Sequence, residues 1–151
     1  MNVLLASLLL SFAPISELRA AIPLAIASKI NPLVAFSLCV TINMLVAPFV
    51  FFALDKISLF IFKKSLRDHG IIKRIKKENL KKNINRYGFV ALTVFVAIPL
   101  PITGAWTGSI IAWLLGLDAK KAILAISIGV LIAGIAVTLA SLGFLEILKL
   151  F

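Results

Sequence analysis

Charge, cysteine and histidine are what this 151-residue chain has least of. One cysteine, Cys39, excludes a disulfide framework, and one histidine beside six acidic residues offers no metal-ligand cluster. Cys39 lies in an apolar run and reads as a small packing residue. His69 lies among charged residues and reads as a solvated loop side chain. A nucleophile–base set and a glycine-rich phosphate loop are missing too, so the sequence gives no reason to expect an enzyme. No cofactor and no metal are expected.

What is present is apolar. Hydrophobic residues make up 62% of the chain, against about half in soluble domains. A chain this short cannot hide that much apolar surface behind its own polar shell, so a bilayer is its natural solvent. Between Met1 and Ser28 the only charges are Glu17 and Arg19, and Pro32–Leu54, Tyr87–Leu117 and Ala122–Leu145 carry none. A spanning helix needs about 20 apolar residues, so each run can cross a membrane or enter it and return. The N-terminal run lacks the basic start of a cleaved signal and is expected to begin outside the cytoplasm.

The net charge of +10 is concentrated. Ten of the sixteen basic residues lie from Lys63 to Arg86, opposed there by Asp68 and Glu78. The positive-inside rule makes residues 63–86 a cytoplasmic loop of a multi-pass inner- or plasma-membrane protein. Such a loop can touch anionic headgroups. Nucleic acid is not an expected partner, because no folded basic domain is available to bind it.

One integral membrane domain is expected, with residues 1–62 as a first repeat and 87–151 as a second. Ala21-Ile22-Pro23-Leu24-Ala25-Ile26 is echoed by Ala97-Ile98-Pro99-Leu100-Pro101-Ile102. Each echo is followed by a polar turn, Lys29–Pro32 or Leu117–Lys121, and then by an uninterrupted apolar run. If all four apolar segments crossed, Lys120 and Lys121 would lie outside, against the charge rule. If 2–28 and 87–116 enter and return, those lysines share the side of the basic loop. The expected fold is therefore all-α: two inverted repeats, each a re-entrant broken-helix hairpin followed by a transmembrane helix, a plan that many transporters use. Pro14, Pro23, Pro99 and Pro101 interrupt the segments read as re-entrant. Such breaks survive at membrane depth only where protein or water satisfies the freed backbone.

Glu17 and Arg19 are the charges to explain, since intramembrane charges face a bundle interior or a water cavity. Two residues apart, they point to different faces of a regular helix and are not a simple helical ion pair. Ser16 is a candidate N-cap after Pro14, and Thr103 after Pro101 is a candidate cap for a half-helix beginning at Gly104. Whether the first break falls at Pro14 or Pro23 stays open. Two facing half-helix N-termini would attract an anion, with Arg19 as a permanent positive charge. Trp106 and Thr107 add an indole donor and a hydroxyl, although Trp106 and Trp113 also suit interfacial anchors. Gly104 and Gly108 form a ridge for close backbone approach. Asn43 is a buried amide that can bridge helices or line a path. A stripe through Gly129, Ala133, Gly134 and Thr138 is expected to pack the bundle or a second protomer.

Glu17–Pro23, Tyr87-Gly88 and the run Phe95–Gly108 resemble the small multidrug export family, and nearly the whole chain takes part. That family is similar to the DedA, or VTT, superfamily of lipid transporters and scramblases. The resemblance implies paired re-entrant hairpins and transport of a lipid-linked phosphate such as polyprenyl phosphate, with Glu17 and Arg19 lining the site and Pro99–Gly108 opposite. DedA proteins carry arginines at their second hairpin motif; none lies between Tyr87 and Leu117 here, which moves the anion contact to backbone amides and Arg19. Proton- or ion-coupled transport by a homodimer is the leading expectation. Export of small or cationic drugs and a non-transport assembly role are the alternatives.

Topology can be read by single-cysteine labelling in a background without Cys39. A cysteine replacing Lys120 should react from the side of the basic loop, and one replacing Lys29 from the opposite side. If all four segments crossed, both cysteines would react from the side opposite the basic loop.

Overall fold

A computed structural model describes residues 3–14, 16–61, 78–100 and 103–148. Six helices account for nearly all of them: α1 (Val3–Phe12), α2 (Glu17–Ala27), α3 (Pro32–Ile61), α4 (Glu78–Ala97), α5 (Ala105–Leu114) and α6 (Ala119–Leu148). No strand occurs among the described residues. Residues 63–77 of the expected basic loop lie outside the described set. Residues 78–86 form the opening turns of α4, so helix begins earlier than the apolar run does.

Among the described residues two helices are long and apolar enough to cross a membrane, over Pro32–Ile57 and Ala119–Ile147. At 30 residues each, α3 and α6 extend about 45 Å, against a hydrocarbon thickness of about 30 Å. Their outward faces are greasy: Leu33 is 75% exposed and Leu139 65%. Water would not tolerate such faces along both helices, and lipid does. By contrast α1, α2 and α5 have 10, 11 and 10 residues, about half a bilayer each.

The order helix, break, short helix, tight turn, long helix occurs twice, with α4 at 20 residues twice as long as α1, and the turns show why. After α2, the amide of Lys29 bonds the Ile26 carbonyl at 2.9 Å, and that of Ile30 bonds Ala25 at 3.1 Å. After α5, Gly116 bonds Trp113 and Leu117 bonds Ala112, both at 3.0 Å. These are paired Schellman stops, with Lys29 (φ 63°) and Gly116 (φ 64°) in the left-handed conformation. Two residues later a side chain starts the long helix. Asn31 Oδ1 accepts from the Leu33 amide at 2.9 Å, and Asp118 Oδ1 from the Lys121 amide at 3.1 Å. One 87-residue offset relates Lys29 to Gly116 and Asn31 to Asp118.

That offset corrects the sequence echo. Pro23 lies inside α2, whereas Pro99 lies in the break between α4 and α5. The two hexapeptides therefore occupy different places. The first break falls between the end of α1 and the start of α2, beside Pro14. Within α2, Pro23 removes only the donor that would have met the Arg19 carbonyl.

Both α2 and α5 pack on both long helices, and α4 lies along α6. The contacts run over small residues. A Cβ added at Gly129 would sit 2.8 Å from the Thr93 carbonyl oxygen and 2.7 Å from Val96 Cβ. One at Gly134 would meet Val40 Cγ2 at 2.6 Å. Thr93 fastens the α4–α6 seam, its hydroxyl lying 2.9 Å from the Phe89 carbonyl and 3.2 Å from the Ala125 carbonyl. Cys39 is buried in α3, as a packing residue would be. The glycine stripe of α6 thus packs within the chain. Gly129→Val should destabilise the protein by about 1–3 kcal/mol, while Gly143→Ala, which meets nothing within 4 Å, should be neutral or stabilising. Thermal unfolding in detergent, followed by circular dichroism, compares them.

Candidate functional site

The two breaks meet. Glu17 opens α2 with φ 44°, a left-handed conformation that costs a side-chain-bearing residue about 1–2 kcal/mol. Its carboxylate reaches the start of α5. Oε2 accepts from the Ala105 amide and Oε1 from the Trp106 amide, each at 3.3 Å. These are two of the donors that every helix start leaves unpaired, at the positive end of the helix dipole. The two half-helix N-termini face each other as expected, but the anion between them is the protein's own.

Gly104 makes this possible. A Cβ there would fall on the Glu17 carboxylate. Gly104 is the residue before α5, with its amide donated to Thr107 Oγ1 at 3.1 Å. Thr107 therefore ties the helix start from within, and Glu17 ties it from the other half of the chain.

Arg19 performs the complementary task. Its Nη2 donates to the Thr103 carbonyl at 2.7 Å and lies 3.3 Å from Thr103 Oγ1. The Thr103 hydroxyl is 2.6 Å from the Ile98 carbonyl and accepts from the Leu100 amide at 3.1 Å. Thr103 thus knots the break rather than capping α5, which starts one residue later than the sequence placed it. Ser16 does occupy the N-cap position of α2, but its hydroxyl makes no cap and donates back to the Leu10 carbonyl at 3.2 Å. Pro99 lies exposed in the break; Pro101 is outside the described residues.

Trp106 closes the junction. Its indole N–H donates to the Phe12 carbonyl at 2.8 Å, at the last residue of α1. Its ring meets Phe12 and Phe49 edge-on, with centroids 5.8 and 6.1 Å away. That is an internal clasp among α1, α3 and α5 rather than an interfacial anchor. Trp113 donates instead to Asp55 Oδ1 at 2.9 Å. Asn43 bridges α3 to α1, donating from Nδ2 to the Ser11 carbonyl at 2.7 Å.

Two spaces adjoin the junction. The inner one, about 10 Å³, has Glu17, Arg19, Asn43, Thr103 and Gly104 on its polar side and Val130 and Val137 on its apolar side. It has room for about one water. The outer one is an open groove of about 380 Å³ along α2 and α6, lined by Arg19, Pro23, Pro99, Ala136, Ala140 and Phe144 among others. Arg19 borders both. Pro23 therefore belongs to the groove wall and not to a break. The groove wall on α6 was missed by sequence reasoning, because alanines in an apolar helix carry no local signal.

A family model described as "Putative small multi-drug export protein" matches residues 17–136. The chain belongs to this family. The matched span opens on Glu17 and ends in the groove, so both partners of the junction fall inside the family's extent. Comparisons with curated proteins and with solved structures gave no match. Family membership and the two long apolar helices make this a membrane protein.

Replacing Gly104 should break the junction. Gly104→Ala should cost at least about 2 kcal/mol, since it displaces a carboxylate from two amides. Paired with Glu17→Ala, the same substitution should cost much less than the sum of the two. A double-mutant cycle on unfolding midpoints measures the coupling.

Proposed function

We propose that the protein is an exporter of amphipathic anions, and that a lipid-linked phosphate of the polyprenyl phosphate type is the natural substrate class. One observation carries the reading: Arg19, the cation at the inner junction, also ends an open apolar groove. An anionic headgroup fits the guanidinium, which recognises phosphate in a planar, two-pronged manner. An acyl or prenyl tail fits the trough formed by Pro23, Ala136, Ala140 and Phe144.

In this reading α1–α2 and α4–α5 are re-entrant hairpins that enter from opposite faces, and α3 and α6 cross in opposite directions. The repeated element order and the short lengths of α1, α2 and α5 support it. The basic stretch at 63–86, whose last residues open α4, lies in the cytoplasm of a cell-membrane protein. Two crossings per chain make a thin wall for a pathway, so the working unit is a homodimer. Protons or another ion drive the cycle, and Glu17 is the side chain that exchanges partners. The role is transport rather than catalysis.

The mechanism follows from competition. The amides of Ala105 and Trp106 form an anion site that Glu17 fills. A substrate headgroup held by Arg19 reaches the same half-helix end only when Glu17 leaves it. Substrate entry and loss of the Glu17 contact are therefore one event, and unlocking the two halves is what lets the site change its side of access.

The family's name keeps a second reading in view, export of cationic drugs with Glu17 as counter-charge. The two readings differ at Arg19. Liposomes loaded with a fluorescent alkyl phosphate or with a fluorescent organic cation test both. Arg19→Ala should lower flux about 10–100-fold, the equivalent of one charged hydrogen-bonded contact, and Glu17→Gln should uncouple flux from a pH gradient. Unchanged flux in both variants would remove the anion reading. Cation flux that ignores Arg19→Ala and is lost in Glu17→Gln would establish the drug reading.

A further inference from the structure

Asn43 is fully buried on α3, and the two ends of its amide are not alike. Nδ2 is committed to the Ser11 carbonyl, which fixes the orientation of the group. Oδ1 is buried with no hydrogen-bond partner. Unpaired buried acceptors are uncommon, because each carries its desolvation cost uncompensated.

Asn43 lines the inner cavity together with Glu17. What it has left to offer there is an acceptor. The Glu17 carboxylate is an acceptor as well. Two acceptors around one water-sized space become complementary when a hydrogen lies between them, supplied by a water that donates to both or by a proton on Glu17 itself, and only the second depends on pH. A metal ion fits poorly. Arg19 puts a positive charge on the same wall, and the Thr103 oxygens already accept from Arg19 or from their own break. Hard cations take six or more oxygens.

We propose that the cavity is a proton-loading site, in which protonated Glu17 donates its O–H to Asn43 Oδ1, directly or through one water. The proton adds to one carboxylate oxygen, and no other covalent bond changes. A neutral carboxyl no longer matches the dipole of α5, so it releases the Ala105 and Trp106 amides to an incoming anion. Proton binding and anion binding then favour each other. Among the described residues around the cavity Arg19 is the one other charged group; the walls given by α3, α4 and α6 are Asn43 and apolar residues. This step deepens the transport reading and rests on it for its purpose, yet it can be observed without transport.

Infrared difference spectroscopy of the full-length protein in lipid nanodiscs, stepped from alkaline to acidic pH, reads it. A carboxylic C=O band should arise in the wild type and be lost in Glu17→Gln. In Asn43→Ser the band should shift to the higher frequency of a carboxyl with a weaker acceptor. The serine hydroxyl has a harmless alternative, since Ser37 and Thr41 on the same helix turn back to their own carbonyls. Added decyl phosphate should raise the band at a fixed pH. If the wild type shows no Glu17-dependent band, or if the band stands unmoved in Asn43→Ser, the proposal is wrong. Should flux fail while the band behaves as described, the transport reading falls and the proton site remains.

Discussion

A carboxylate on two backbone amides holds this fold's centre. Glu17 accepts from Ala105 and Trp106, and much of the local structure answers to that contact. A charge inside a bilayer has to be met by the protein, and the start of a half-helix provides donors that would otherwise be unpaired. The left-handed backbone at Glu17 aims the side chain away from its own helix. Gly104 leaves the space in which it lies. Arg19 keeps the opposing break in shape through the Thr103 carbonyl. Each half thus lacks something that the other supplies.

The junction is unequal although the two halves share an element order. Under the 87-residue offset that aligns the turns, Glu17 corresponds to Gly104, Ser16 to Thr103 and Asn43 to Val130. The first half contributes the charges and the amide. The second contributes the void, the unpaired donors and an apolar wall. A symmetric pair of acids would repel across the shared space, and a pair of glycines would leave both helix ends unmet. Division of the roles solves both problems.

Much of this plan was readable in the chain. The unbroken apolar runs give α3 and α6, because a long helix with no charge has few alternatives. Thr103-Gly104 after a proline pair marks the second break, and Ser16 after Pro14 was one of two candidates for the first. Choosing between Pro14 and Pro23 was beyond the sequence: a proline inside a helix and one at its end look alike until the packing is known. The echo between residues 21–26 and 97–102 misled for the same reason, since its prolines do different things. The pairing of Glu17 with Gly104 was invisible, because a glycine that makes room for a distant side chain has no local mark. The clasp between Trp106 and Phe12, 94 residues away in sequence, was hidden likewise.

The order of synthesis adds a last consequence. Glu17 and the amide of Ala105 are 88 residues apart. At about 5–20 residues per second, the ribosome needs roughly 4–18 seconds to make the second partner after the first. During that interval a carboxylate and a guanidinium wait at the membrane with none of their final partners. The nascent first half is thus a marked object, recognisable by unmet charge until α5 is made. A chain that stops short of Gly104 would keep that mark, and membrane quality control could read it as unfinished.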